Sequence, residues 1–246
     1  MISLYDIGPT THPGTQATGA SPFKASYSFI LRYKKLHFEI VPIGLTDIEG
    51  IAKELGAAPT VTFSSTKYTV PFIKDSTTGK VISDSPAIAQ YLDEAYPDTP
   101  PVVPAGSLFL QRVVLSDAIS RVGNIYKAAI RPKLVGHFPK DYQEAASRGR
   151  VPQPTPEEVA EAFKDGKTQF TKFSEILNGG TAPFREFAMG EKPTFADFGL
   201  VAFVYPAKFI YGGESDEWKE MRSWANGWVG WVTDRVVEIT AVENSQ

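Results

Sequence analysis

Two short stretches carry residues of the type and spacing that hold an anion: Ser21 with Pro22 in GASPFK, and Ser85 with Pro86 in ISDSPAIAQYL. A serine oxygen accepts from free backbone N–H groups at a helix start, while proline supplies the helical φ and has no N–H to leave unpaired. Each pair therefore predicts a helix N-terminus. Such an end also presents unpaired donors and the positive pole of the helix dipole, which suits a thiolate or a carboxylate. Asp84 precedes the second opening, where it either closes a local turn or meets an ammonium on the ligand whose carboxylate lies at Ser85. For Ser21, a plain cap and a hydrogen bond donated to a thiolate are compatible roles, because a hydroxyl both accepts and donates. Two openings of this kind within the first 100 residues allow a single ligand with two anionic groups.

Composition narrows the ligand classes. A net charge of −3 over 246 residues leaves no basic footprint for nucleic acid. No apolar run reaches membrane-spanning length, and MISLYDIGP lacks the basic start and long apolar stretch of a signal peptide, so a cytosolic protein is expected. With 42% apolar and 22% charged residues the chain has an ordinary globular balance. It contains no cysteine, which excludes disulfides, thiolate metal sites and a cysteine nucleophile; thiol chemistry must arrive with a ligand. His12, His37 and His137 are scattered without ligand spacing, and no metal site is expected.

The surrounding pattern predicts the elements that position these residues. ISLYDI reads as a buried strand, followed by a long polar loop and a helix from Pro22 to about Leu36. HFEIVPI alternates as a second, parallel strand; Thr46 and Glu49 have capping-box spacing for a short helix that Gly56 stops. TVPFIKD and KVISD form a hairpin across STTG, in which Pro71 requires a sheet edge or a special bend such as a cis bond. The helix opened at Ser85 closes before Pro97. YPDTPPVVPAG is a linker, and everything beyond it reads as helical. Leu108 to Ile130 is expected as one helix, 133–155 mostly as loop, and Pro156 restarts a helix. Thr194 and Asp197 open a buried central helix kinked at Pro206, and a last helix from Glu217 to Val236 carries four partly buried tryptophans.

This order of elements resembles the cytosolic glutathione transferases, with an α/β thioredoxin-like domain over residues 1–95, a linker over 96–106 and an all-α domain over 107–246. The residues that carry the resemblance are Val70 with Pro71 in YTVPFI, Asp84 with Ser85, and Thr194 with Asp197. GASPF, and LGAAPT followed by YTVPFI, are more narrowly similar to the fungal Fu class, relatives of bacterial etherases. The resemblance implies glutathione as co-substrate, with Val70 and Pro71 facing its cysteine, Asp84 and Ser85 its γ-glutamyl end, and Lys67 its glycine carboxylate. It also implies that Ser21 stabilises the thiolate, which then adds to small aromatic or other electrophiles or reduces organic peroxides, as in detoxification. The electrophile pocket is expected between the domains, near Phe23, Ser120 and Asn124. The alternative is a ligandin-like carrier of aromatic or polyphenolic compounds that catalyses little. A homodimer is implied. Without cysteine the chain does not fit the Cys-type classes, and Tyr5 lies within the strand rather than where the Tyr-type classes need it.

Overall fold

Strand β1 (Ile2–Ile7) is paired on both sides, parallel to β2 (Phe38–Ile43) and antiparallel to β3 (Phe72–Asp75), and β4 (Val81–Ser83) completes the order β2-β1-β3-β4. The computed structural model describes residues 1–8, 22–60, 68–138, 140, 142–144, 154–178 and 186–241, without the side chains of 22–24, 177 and 178. Helix α1 (Pro22–Tyr33) crosses between β1 and β2, α2 (Ile48–Leu55) leads toward β3, and α3 (Ser85–Ala95) follows β4. The βαβ, α, ββα reading is thus the observed order, and the hairpin turns over Ser76–Lys80 as STTG predicts. Gly56 ends α2 in the left-handed conformation, at φ 80°. The residue that caps this helix is Asp47 and not Thr46. A turn closed by Asp47 N–H to the Gly44 carbonyl (3.1 Å) delays α2 to Ile48, and Glu49 instead pairs with Lys53 at 2.6 Å.

The second domain departs from its expected helices in two places. The long helix divides into α4 (Leu108–Ile125), a π-helical segment from Tyr126 to Ile130, and α5 (Arg131–Val135). Pro132 lies in the first turn of α5, where its missing N–H costs nothing, so it continues the helical path rather than ending it. The C-terminal helix is two, α9 (Asp216–Ser223) and α10 (Trp228–Ile239), because Ala225, Asn226 and Gly227 all take positive φ. Trp218, Trp224 and Trp228 are buried rather than half-exposed, since this break folds the two helices against α6 (Pro156–Asn178).

Helix α7 (Phe195–Val204) is buried at every position, as its apolar sequence requires, and Pro206 begins a separate helix, α8 (Pro206–Tyr211). The expected capping box is present: the Asp197 carboxylate accepts the Thr194 N–H and hydroxyl at 2.9 Å each, and the Ala188 N–H at 2.8 Å. Burial pushes this carboxyl up to about 6, against the pull of those donors. Helix α1 packs on α7 through Phe29 with Tyr205 and Tyr33 with Phe198.

A buried cation fastens the domains. Lys34, just past α1, is 1% exposed; its Nζ donates to Asp93 of α3 at 2.6 Å and to the Pro100 carbonyl at 3.0 Å. Asp93 also accepts the Val102 and Val103 amides, and the Val102 carbonyl accepts the Phe195 N–H at 2.8 Å, which straps the linker to the head of α7. Removing one partner of a buried pair strands the other. Asp93→Asn is therefore expected to destabilise the protein by about 3 kcal/mol, measured by urea unfolding; a loss under about 0.5 kcal/mol would show that the strap carries no load.

Asp197 gives a pH signature. A carboxyl whose folded pKa lies above its unfolded value contributes stability that is complete below the unfolded value and lost as pH rises through the folded one. With the folded value near 6, the stability of the wild type relative to Asp197→Asn is expected to be greater at pH 4 than at pH 7 by about 2–3 kcal/mol. Unfolding curves for both proteins at the two pH values measure it, and a pH-independent difference contradicts the assignment.

Candidate functional site

The register of the sheet collects the residues of interest at one edge. Tyr5 lies opposite Phe72, and Phe72 opposite Ser83. Asp6, Pro71 and Asp84 are the next residues beyond these pairs, at the end of the sheet where the two β3 ladders stop. It is the end from which β1 exits toward α1. Pro71 is buried behind a cis Val70–Pro71 bond, immediately before β3. It thus occupies the special bend expected of it and not a sheet edge: β3 is internal, and proline removes no ladder donor there because the ladder begins at Phe72.

Asp84 is the N-cap of α3 at φ 73°, ψ 124°, a conformation that L-residues other than asparagine and aspartate rarely take. Its side chain makes no capping hydrogen bond, so the carboxylate is presented outward instead of closing the helix. Partial burial pushes this carboxyl up, opposed by the guanidinium of Arg112 on α4 and by the Ser85 amide. Arg112 thus brings a positive charge from the helical domain to the sheet edge. Ser85 and Pro86 occupy the first turn of α3, which leaves the helix's leading N–H groups at the surface beside Asp84.

A buried tyrosine joins the two helix openings. Tyr27 is 1% exposed on α1, and its hydroxyl donates to the Ser85 carbonyl. Burial pushes its phenol far above the ordinary range, with the Ser85 contact opposing, so the group remains a donor. Tyr27 lies five residues past Pro22, about 8 Å along the helix, and the contact therefore holds the start of α3 close to the start of α1. Ser21 and Lys67 lie outside the described residues, as does the side chain of Phe23; the backbone of Phe23 is in the first turn of α1.

The structure separates the remaining two expected residues. Ser120 is exposed, donates to the Asp117 carbonyl at 2.7 Å, and borders a groove with Phe109, Arg112 and Asp117. Asn124 donates to Asp165 at 2.8 Å and lines another groove of about 460 Å³ between α4 and α6. Both point away from Tyr126, which at 100° per residue lies about 160° around the helix from Asn124.

Sequence reading missed the residues of the helical domain that do face the end of β1. Asp6 is fully buried there, and its charge and that of Arg131 bear with opposite sign on the phenols of Tyr126 and Tyr142, both held high first by burial. Ile7 and Tyr142 pack on Leu134 and Phe138, the Phe138 and Tyr142 rings stacking at 4.2 Å, while Tyr126 meets Phe203 edge-on at 5.3 Å. The one sequence signal was an acid at the end of an otherwise apolar strand. Among the described residues no cluster of three metal-ligating side chains occurs.

With this geometry in hand, comparison with known proteins is specific. Residues 18–100 match the family model described as glutathione S-transferase, N-terminal domain, and residues 110–238 the model for the C-terminal domain. A glutathione S-transferase-like protein of Aspergillus flavus, ustS, is 29% identical over 253 residues, covering 92% of this chain and 86% of that one. A glutathione S-transferase of Ceriporiopsis subvermispora, solved in complex with glutathione, superposes with a TM-score of 0.84 at 26% identity over 99% of both chains. The transferase GSTFuA3 of Phanerochaete chrysosporium does so at 0.81 and 26%, over 98% of both.

The Tyr27 contact is open to test. Tyr27→Phe keeps the ring and leaves the Ser85 carbonyl without its partner, so a loss of about 1 kcal/mol is expected in urea unfolding, with faster amide exchange at the first turn of α3. Unchanged exchange there would show that Tyr27 does not hold that helix start.

Proposed function

This chain belongs to the glutathione S-transferase family and is a glutathione transferase, and from that premise we propose that glutathione lies along the edge formed by Val70, Pro71, Asp84 and Ser85, with its sulfur at Ser21. The observation that carries this reading is that the β3–β4 ladder ends with Phe72 opposite Ser83, so that Pro71 and Asp84 both lie just beyond that end of it, while the Tyr27 hydroxyl on α1 donates to the Ser85 carbonyl. The residues fit the tripeptide. The backbone of Val70, ahead of the ladder and before the cis bond, suits main-chain pairing with its cysteine. The N–H groups at the start of α3 suit the γ-glutamyl carboxylate, and the outward Asp84 carboxylate suits the ammonium of the same group. Arg112 offsets the local negative charge, and Lys67 takes the glycine carboxylate.

Glutathione supplies the nucleophilic sulfur, and the chain's part is to hold it ionised. The Ser21 hydroxyl donates to the thiolate while the N-terminus of α1 contributes its dipole, so the thiol proton is released to solvent at a lower pH than in free solution. The thiolate then displaces a leaving group from an aryl carbon, adds to an isothiocyanate carbon, or attacks a peroxide oxygen. A carrier role for aromatic compounds is the second reading, favoured by the partly exposed Tyr142 ring that packs with Ile7 at the end of β1. Phe109, Leu110 and Val113 form an exposed apolar ridge on α4, which supports a homodimer.

The decisive variant is Ser21→Ala. A hydrogen bond to a charged group is worth about 1.5–3 kcal/mol, so kcat/KM for conjugation is expected to fall about 10- to 100-fold, with the pH–rate profile displaced to higher pH and glutathione affinity nearly unchanged. Unaltered rates and profile would remove Ser21 from the mechanism. Retention of aromatic ligands without any turnover by the wild type would favour the carrier.

A further inference from the structure

Helices α1 and α3 are tied to each other twice. The Tyr27 hydroxyl donates to the Ser85 carbonyl at the start of α3, and the Lys34 ammonium donates to Asp93, in its last turn, at 2.6 Å. Lys34 still follows the path of α1, because its N–H donates to the Ile30 carbonyl at 2.9 Å. Counted along each chain, Tyr27 and Lys34 lie on one stripe of α1 about 10 Å apart, and Ser85 and Asp93 about 12 Å apart along α3. The two spans nearly match, so the ties act as rungs between helices that run in the same direction and start at the same end of the sheet. Ile30 and Leu31 of α1 share one buried cluster with Ile88 and Leu92 of α3, whereas Ile48 and Ala52 of α2 belong to another. Apolar contact is non-directional and leaves a slide between helices soft, while a hydrogen bond fixes its own length closely. A single rung would let α1 swing about the Tyr27 contact. The second, two turns away and made of buried opposite charges that part only at a cost, removes that freedom.

We propose that Lys34 and Asp93 are positioning residues for glutathione: with Tyr27 they fix the offset between the start of α1, which takes the negative charge on sulfur, and the start of α3, which takes the γ-glutamyl carboxylate. The inference rests on the reading of the site given above, and it concerns geometry inside the first domain, apart from the hold that the same pair has on the linker. Glutathione is one covalent object with a limited distance between these two groups. It gains from both helix starts at once only when their separation suits it, and a pair of helices already held in that offset binds it without the cost of ordering them. Lys34 and Asp93 stand well back from the ligand, about 18 and 12 Å along their helices from the N-termini, so they act through the helices and not by contact.

The test compares two tripeptides of one backbone that differ only at the sulfur position: glutathione sulfonate, a fixed anion there, and γ-glutamyl-2-aminobutyryl-glycine, in which a methyl group replaces the thiol. Their dissociation constants are measured by calorimetry for the wild type, for Lys34→Met and for Lys34→Met/Asp93→Asn. The double variant strands no charge and keeps an amide oxygen for a linker N–H, so it covers the case in which Lys34→Met fails to fold. The wild type is expected to prefer the sulfonate. Both variants are expected to bind the sulfonate about 5- to 30-fold more weakly and the methyl analogue within about twofold of the wild type. A merely structural role would lower the folded fraction and move both ligands alike. Equal losses for the two tripeptides, an undiminished preference in the variants, or no preference in a wild type that binds both overturn the proposal and leave the site reading standing. Binding of neither tripeptide by the wild type overturns the site reading with it. Conjugation of benzyl isothiocyanate by the wild type, assayed in parallel, judges the thiolate chemistry alone, because the binding comparison needs no turnover.

Discussion

The arrangement of the two domains hangs on a buried ion pair. Lys34 has no exposed surface on its side chain, and Asp93 very little. Neither charge would be tolerated there alone, so α1, α3 and the linker must meet in one geometry that satisfies both. Asp93 spends its remaining acceptor capacity on two linker amides, and the next carbonyl of the linker reaches the first residue of α7. A sheet domain and a helical domain are in this way held in fixed register, in which the charge of Arg112 bears on the Asp84 carboxyl and that of Asp6 on the Tyr126 phenol.

Within that frame the site is built from backbone as much as from side chains. Asp84 takes a left-handed conformation that leaves its carboxylate outside the helix it begins. The energy of holding such a residue, of order 1–3 kcal/mol, comes from the surrounding contacts, among them Tyr27 on the Ser85 carbonyl and the ladder of β3 with β4. The outcome is a helix start whose donors and neighbouring acid face the same way, which a relaxed N-cap, with its side chain folded over the first turn, would not provide.

Local rules made much of the first domain readable. Strand periodicity, the glycine stop of α2 and the STTG hairpin are decided by neighbours within a few residues, and Pro71 announced a bend because proline cannot serve a ladder. The capping boxes show the limit of such rules. Thr194 and Asp197 form theirs because α7 is wholly buried and its leading donors have no water to use; Thr46 and Glu49 have the same spacing, but α2 is exposed there and a tighter turn at Gly44 wins. The division of the last helix and the burial of three tryptophans escaped notice for a related reason: Asn226 and Gly227 tolerate positive φ by themselves, but Ala225 does not, and the break there goes with packing of Trp224 on Phe170 of α6.

By itself the sequence determined the element order of the first domain, the restriction of Pro71 to an edge or a bend, the buried α7 and the pair of residues at the head of α3, since each depends on backbone chemistry over a handful of positions. The tertiary structure alone decided which part of the helical domain faces the site. Ser120 and Asn124 look as suitable as Tyr126 on paper, because residues two and six apart on a helix are chemically equivalent until one face is given a partner. In the structure Tyr126 packs on Phe203 and feels the charge of Asp6 at the end of β1, whereas the two polar residues line other grooves. Which side chains stand near a substrate is a matter of contacts 60 to 130 residues apart, and no local pattern encodes a distance of that kind.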